Sequence, residues 1–567
     1  MKKFISKEEF FGALNKGDIK LDTKSLFQPL HALQQDSEEG WEEILDTFFQ
    51  QVEIELEVDR KELRRIPKSG TFITISNNPF GFVDFVSLMK VVRNRRFDFK
   101  IYGEHVTGEE VLDHFIAEES NSFEESIQQA IKEGHGIGLF PSGDVESFYT
   151  DDKEIADRQW DLDHIAAVKK AGVPIIPIYI QGQNDLFFHL MKVSNGELDL
   201  NEWISEGPKK LRVIIGNPIS AEEQNEFKDF NRFSRFLRVK TMMLGCRLES
   251  EITSDKIFAK KQLEQKPVGV EEIIPPVSLE LIQQELDNSQ DQLVVENGPF
   301  QVYICSARRV PNILQEIGRL REITFRAVGE GTNKALDLDE YDMYYHHLFV
   351  WDKENNSIVG AYRIGKGEEI MNKYGIKGFY TSSLFQIDEK FSPYLIHGCE
   401  LGRSFVRQEY QLKRLPLFLL WQGLLMLMLS ENHYQYLLGP VSISNEYTTL
   451  SKSLIAEFVK KFYFDHDLAK FIQPLNEFKV QFDDFDHEPL WDFTGDDFQR
   501  FDKLIGDVDP VHHGVPILLK KYIKQNGKIL AFNVDPDFND ALDGFLLLNM
   551  QDVPQEQIDD LKKNIEM

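Results

Sequence analysis

"TISNNPFGFVDF", residues 74–85, decides how the first half of this chain is read. A β-prone run, Phe72, Ile73 and Ile75, stops at the polar pair Asn77 and Asn78, and a Pro/Gly turn follows before an acid at Asp84. A strand that ends in a polar turn and leads into a helix is where an α/β enzyme presents reactive side chains. The stretch looks like the opening of an active site whose reactive residue is missing. Asn78 stands where a histidine would make chemical sense, and an amide cannot serve as a general base.

Working outward, the 567 residues exceed what one hydrophobic core usually supports, so two domains are expected. With 42% hydrophobic and 28% charged residues, most of the chain should fold. A formal net charge of −30 excludes a general nucleic-acid binder, which needs a basic footprint. Local basic patches remain in "RNRR" at Arg93 to Arg96 and around Lys413. Cys246, Cys305 and Cys399 are far apart and odd in number, which points to neither a disulfide framework nor a metal centre and favours a reducing cytoplasm. The N-terminus has no apolar stretch of signal-peptide length. The longest apolar run, Leu415 to Leu429, contains Gln422 and falls short of the roughly 20 residues a bilayer span needs. It reads as a buried helix, and any membrane contact would be peripheral.

Residues 1–46 read as a helical lead-in, 47–248 as an α/β domain, 249–297 as a charged, proline-rich linker, and 298–550 as a second domain with a C-terminal extension. In the first domain, Phe123, Ile127 and Ile131 recur at helical spacing, Gly134 suits the helix exit, and the strand "GIGLF" follows. "VPIIPIYIQG" reads as a strand starting late, near Ile176, because Pro174 and Pro177 are awkward in a central ladder. In the second, "FQVYICSA" reads as a strand and Ile313, Leu314, Ile317, Leu320 and Thr324 as a helix stripe. A hairpin turns at "KENN", and the strands "YLIHGCELGRSFV" and "YQYLLGPVSIS" flank an apolar helix opened by Pro416.

The order of strand, "NNPFGFVD", helix, "LFPSGDVES" and "VPIIPIYIQGQND" resembles the glycerolphosphate and lysophospholipid acyltransferase family over about residues 45 to 245. The resemblance implies that a histidine of the first motif takes a proton from an acceptor hydroxyl and that an aspartate orients it. Asn77 and Asp84 match that layout, but Asn78 occupies the histidine position. Loss of such a base costs about 10²- to 10⁴-fold in rate, so this site is expected to be impaired or repurposed. Replacement by another histidine would fall to His105. The resemblance places Pro141, Ser142, Gly143 and Asp144 of the second motif beside the acceptor. No arginine stands in a clear phosphate-binding position between the motifs, which weakens a glycerol-phosphate substrate.

From about Phe300 to Phe464, "LREITF", "DLDEYD", "HLFVWD", "GAYRI", "GFYTSSLF", "ELGRSFV", "LFLLWQGLL" and "LGPVSIS" come in an order that resembles GNAT-fold acyltransferases acylating an amino acid from acyl carrier protein. The group includes ornithine-lipid synthases, and residues near the C-terminus resemble its haemolysin-like members. The resemblance implies a phosphopantetheine thioester on acyl carrier protein as donor and no tightly bound cofactor. It places Arg321, Phe325 and Arg363 at the acceptor. Physically, Gly398 and Gly402 make "HGCELGRS" a credible bulge whose opened N–H groups would polarise a thioester carbonyl. Lys413 and Arg414 before Pro416 offer cations at a helix N-terminus for a phosphate. Glu400 is either the proton acceptor or one half of a structural ion pair with Arg403. Asp337, Asp339 and Asp342 either hold a cationic amino group or form a solvated acidic loop, and a calcium loop's glycine and terminal glutamate are missing.

The expected protein is therefore α/β, with a glycerolphosphate-acyltransferase-like domain followed by a GNAT-like mixed α/β domain. Its expected reaction is N-acylation of an amino acid such as ornithine, glycine or lysine with a 3-hydroxyacyl group, with O-acylation by the first domain in doubt. A lysophospholipid O-acyltransferase and a non-catalytic scaffold for lipid or acyl carrier protein are the alternatives.

Overall fold

The computed structural model describes residues 41–102, 115–116, 123–142, 148–149, 155–156, 160–182, 186, 207–246, 270–328, 330–411, 413–482, 486–509 and 514–563. Most of the helical lead-in, residues 1–40, and residues 249–269 of the expected linker lie outside them, as do His105, Gly143 and Asp144. The chain divides into two compact units, Met1–Glu251 with Phe482–Pro510, and Ile252–Gln481 with Val511–Met567.

The first unit is built on strands β1 (Ile54–Val58), β2 (Phe72–Ser76), β3 (Lys100–Tyr102), β4 (Phe115–Ile116), β5 (Gly136–Leu139), β6 (Ile175–Gly182) and β7 (Lys209–Ile215) in the order β1-β7-β6-β2-β5-β3-β4. All neighbours are parallel except β6 and β7. Every residue of β2 is buried, as expected of a parallel strand covered on both faces. Helix α1 (Phe82–Arg93) starts directly after Gly81, whose φ of +61° a glycine adopts without strain. Strand β6 starts at Ile175, one residue before the expected late start near Ile176, and carries Pro177 inside an interior strand. The ladder to β7 runs from Ile178 onward, and beside it Pro177 uses only its carbonyl, which accepts from the Gly216 N–H at 2.8 Å.

Phe482–Pro510 belongs to this first unit, whereas the sequence alone assigns it to the second domain. Side-chain contacts with residues of the first unit explain the difference, among them a ring stack and a buried ion pair. Phe493 stacks on Phe236 at 4.6 Å, and the fully buried Asp507 accepts from Lys240 Nζ at 2.6 Å and from Asn217 N and Nδ2 at 3.0 and 2.6 Å. A carboxylate at that depth is retained only with its charge paired and its lone pairs filled.

The second unit carries β8 (Leu293–Asn297), β9 (Phe300–Ser306), β10 (His346–Asp352), β11 (Ser357–Lys366), β12 (Gly398–Val406), β13 (Tyr436–Ile443), β14 (Lys528–Asp535) and β15 (Ala541–Asn549) in the order β8-β9-β10-β11-β12-β13-β15-β14. The sheet therefore begins within the expected linker, which also holds the helix Leu279–Asp287. The residues after Val511 complete the sheet as β14 and β15. Helix α2 (Pro311–Ala327) lays Ile313, Ile317 and Leu320 on one face, against Tyr303, Phe349, Ala361 and Phe405. Helix α3 (Arg414–Ser430) covers the other, with Gly423 so close to Leu348 and Val302 that a Cβ would sit 2.7 and 2.9 Å from their side chains. The apolar run Leu415–Leu429 is thus a core helix, and among the described residues no helix is long and apolar enough to cross a membrane.

Candidate active site

In the first unit the two motifs converge. Asn77 is buried and closes onto β6, donating through Nδ2 to Ile180 O at 2.8 Å and accepting from Ile180 N at 2.7 Å. Asp84 is fully buried and accepts from Phe80 N at 2.6 Å, which fixes the turn that carries Asn78. Phe85 stacks on Phe140 at 4.3 Å and so ties this turn to the second motif, where Pro141 is buried and Ser142 half-buried. The constellation is assembled around an amide, Asn78, at 3% exposure.

In the second unit the geometry starts from a defect in the β11–β12 ladder. Ala361 pairs with Phe405 and Arg363 with Gly402, so Arg403 and Ser404 together oppose Tyr362. That is a bulge of one extra residue, and Arg403 takes it up at φ +49°. On its other edge β12 runs parallel to β13 only from Gly398↔Tyr436 to Glu400↔Leu438. Gly439, at φ +143°, presses so close to Leu401 O that a Cβ would lie 2.2 Å away. Beyond that point β12 stays with β11 and β13 with β15, leaving that β12 edge from Leu401 onward without a strand partner among the described residues. A strand edge of this kind, beside the expected bulge, is suited to polarising a carbonyl.

Alternation places Glu400, Gly402 and Arg363 on the α2 face, where the acidic loop meets them. The loop is not simply solvated: Glu340 is exposed, but Asp337 and Asp342 are buried. Asp342 is fully buried and pairs with Arg321 at 2.7 Å and Arg363 at 3.4 Å, and Asp339 accepts from Arg363 at 2.6 Å. Arg403 lies 3.3 Å from Asp337 and 3.6 Å from Asp339. Burial raises the Asp342 carboxyl, but Arg321 and then Arg363 outweigh it and hold the group well below the ordinary carboxylate range. Asp337 goes the other way, raised by burial against the pull of Arg403. Burial, then Arg321, pushes the His347 imidazole down to about 4, and its Nε2 meets Asp342 O at 3.0 Å. These aspartates are engaged by arginines, so the expectation that they hold a substrate's cationic amino group is not met by free carboxylates.

Glu400 does not pair with Arg403. It is buried and accepts from Tyr380 N at 2.9 Å, from Thr381 N at 2.7 Å and from the Tyr345 hydroxyl. Three donors occupy its oxygens, which fits an anchor for the 380–381 turn better than a proton acceptor. The anchored Tyr380 ring lies over both guanidinium groups, 5.1 Å from Arg363 and 5.3 Å from Arg403.

The fully buried Arg363 uses Nη1 for its carboxylate bond, and its Nε and Nη2 have no hydrogen-bond partner among the described residues. That edge faces Gly402, where a Cβ would sit 3.9 and 4.0 Å from the two nitrogens. Glycine sets no side chain against this buried, unbonded edge, and a planar fork of this type matches a carboxylate bidentately. Phe325 reaches the same neighbourhood through Phe538, 6.4 Å away, which lies 4.3 Å from Arg403. Lys413 is the N-cap residue of α3 and lies over Tyr410; Arg414 opens the helix.

The sequence reading missed Asp535 and Asp543. Ser442 Oγ donates to Asp543 at 2.5 Å across the β13–β15 pair, and Asp543 is 3% exposed. Burial pushes Asp543 up to about 7, aided by Asp535 and Glu330 and opposed by Ser442 and Arg403. Asp535 is raised as well, chiefly by burial. A lone acid inside the apolar strand "ALDGFLLLN" was the available signal.

Residues 320–422 match the model of the acetyltransferase (GNAT) domain. A glycine N(alpha)-acyltransferase from Phocaeicola vulgatus is 31% identical over 302 residues, 51% of this chain and 91% of the relative. One from Bacteroides thetaiotaomicron is 30% identical over 302 residues, 51% of this chain and 88% of the relative. Both matches fall on the C-terminal half. The crystal structure of the 1-acyl-sn-glycerophosphate (LPA) acyltransferase PlsC from Thermotoga maritima aligns with 45% of this chain and 95% of its own, at 14% identity and a TM-score of 0.23. This protein is an acyltransferase, and the chain belongs to the family of the glycine N(alpha)-acyltransferases.

Proposed function

We propose that the second unit transfers a fatty acyl group, of the 3-hydroxyacyl type, from the phosphopantetheine thioester of acyl carrier protein to the amino group of a small amino acid, glycine first, making an aminolipid. The observation that carries this reading is the unbonded Nε and Nη2 edge of Arg363 above Gly402, on the strand that parts from β13. A carboxylate seated there leaves its α-amino group close to the β12 edge, where a thioester carbonyl would be polarised. The family relationship supports glycine, and a side chain as small as hydrogen suits a site bounded by the Tyr380 ring. Lys413 and Arg414, at the start of α3, supply cations for the donor's phosphate and for the acidic carrier protein. The amphiphilic product implies peripheral contact with the inner face of the cytoplasmic membrane. The first unit keeps Asp84 but has no base at Asn78, so O-acylation is not assigned to it.

The test is mass spectrometry of products from the purified full chain, an acyl-carrier thioester and single amino acids. The reading predicts an N-acyl amino acid, with glycine the preferred acceptor. Carrier binding without turnover on any amino acid would contradict it in favour of a scaffold, and acylation of lysophospholipid alone would favour the O-acyltransferase.

A further inference from the structure

The acceptor's amine is the remaining problem. An ammonium group has no lone pair, so it must lose a proton before it attacks a thioester. Glu400, expected for that task, already accepts from two backbone N–H groups and a hydroxyl. Asp337, Asp339 and Asp342 are bound by arginines.

A different carboxylate is placed for it. Ser442 lies four residues past the last β12–β13 pair, on the stretch of β13 that has left β12. Its side chain is exposed, and its hydroxyl donates to the buried Asp543 directly opposite on β15. Asp543 in turn pairs across β14 with Asn533, two residues from Asp535. Arg403 reaches this group electrostatically and shares Asp339 with Arg363, whose unbonded edge is the carboxylate seat proposed above. The charged groups acting on Asp543 are thus Asp535 on β14, Glu330 after α2, and Arg403 on β12.

We propose that Asp543 is the proton acceptor of N-acyl transfer, taking a proton from the bound amino acid's ammonium group through the hydroxyl of Ser442. This rests on the reading of the second unit as an N-acyltransferase. In the step, one ammonium proton passes to Ser442 Oγ while the Ser442 proton moves to Asp543 Oδ1. The freed nitrogen lone pair forms the C–N bond, and the C–S bond breaks. The departing thiolate takes the second nitrogen proton, and Asp543 later returns its own to water. A carboxyl poised near 7 is matched to this exchange at neutral pH.

The experiment is the pH dependence of kcat for the full chain, at saturating glycine and acyl-carrier thioester, from about pH 5.5 to 9. Wild type should lose activity below an acid limb near 7. Asp543→Asn should lower kcat by about 10²- to 10⁴-fold and abolish the limb, with the KM for glycine little changed. Ser442→Ala should show an intermediate loss of kcat, and it carries the test together with the wild-type profile should Asp543→Asn fail to fold. An active wild type without an acid limb near 7, or an Asp543→Asn that matches it in rate and profile, overturns the assignment of Asp543 alone. A wild type that acylates no amino acid overturns the underlying reading and the assignment with it.

Discussion

Arg363 sits opposite Gly402 across the β11–β12 ladder, with Nε and Nη2 of its buried guanidinium unbonded beside a residue that has no side chain. Gly402 has no left-handed φ, so a larger residue is sterically admissible in the backbone. Gly402→Val should therefore fold and cover the fork. Loss of a charge-assisted bidentate contact is worth about 1.5–3 kcal/mol, so the KM for the amino acid should rise by about 10- to 100-fold. Steady-state kinetics with glycine as the varied substrate checks this, and an unchanged KM would remove Arg363 from the carboxylate site.

Glu400 is a positioning residue on this account. Glu400→Gln keeps an acceptor but mismatches the N–H donors of Tyr380 and Thr381, loosening the Tyr380 ring over Arg363 and Arg403. The variant should lose thermal stability and bind the acceptor more weakly, yet keep the acid limb of kcat. Loss of that limb would return the proton-acceptor role to Glu400.

The two buried aspartates that face arginines and acids should shift stability with pH in opposite directions. Asp342 has a folded pKa below its ordinary 3.8, so its contribution is present above that value and is lost as pH falls through the folded one. Asp342→Asn leaves Arg321 and Arg363 short of a counter-charge at a cost of about 3–5 kcal/mol. Asp543 has a folded pKa raised to about 7, so the stability of its neutral form is complete below 3.8 and lost as pH rises through 7. Asp543→Asn should then melt higher than wild type above pH 7, by about 2–4 °C for each kcal/mol released, while losing turnover. Thermal melts at acid and alkaline pH check both signs; a lower melting temperature for Asp543→Asn above pH 7 would make Asp543 a structural residue.

Asp507 ties the segment 482–510 to the first unit through Lys240 and Asn217. Asp507→Ala leaves Lys240, 3% exposed, without its counter-ion and should destabilise this unit by about 3–5 kcal/mol. Limited proteolysis should cut residues of the first unit earlier, with the N-acylation rate of surviving protein unchanged.

Much of this was legible in the sequence for physical reasons. The alternation of β9 to β11, the "KENN" turn and the stripe of α2 are local patterns, and local patterns survive in a linear reading. The order of motifs from "LREITF" to "LGPVSIS" pointed to the GNAT-like domain, and Gly402 with its neighbours to the bulge. What was not legible depends on distant partners. "DLDEYD" carries no mark of its burial, because Arg321, Arg363 and Arg403 come from α2, β11 and β12. Asp535 and Asp543 reach the sheet only after the chain has detoured through residues 482–510 of the first unit, so proximity along the chain hid them. The assignment of 482–510 itself rests on side-chain contacts such as the Phe493–Phe236 stack, the buried Lys240–Asp507 pair and the Arg500–Glu226 pair, which composition does not reveal.

The central claim is that the chain makes an N-acyl amino acid in its second unit and transfers nothing at Asn78. Mass spectrometry of lipids from a host without amino-acid lipids, expressing the intact chain, tests it most directly. The account predicts a new singly acylated amino acid, with glycine as its head, that disappears on Asp543→Asn. A doubly acylated species would contradict the silence of the first unit, and no new lipid from folded, abundant protein would contradict the N-acyl transfer itself.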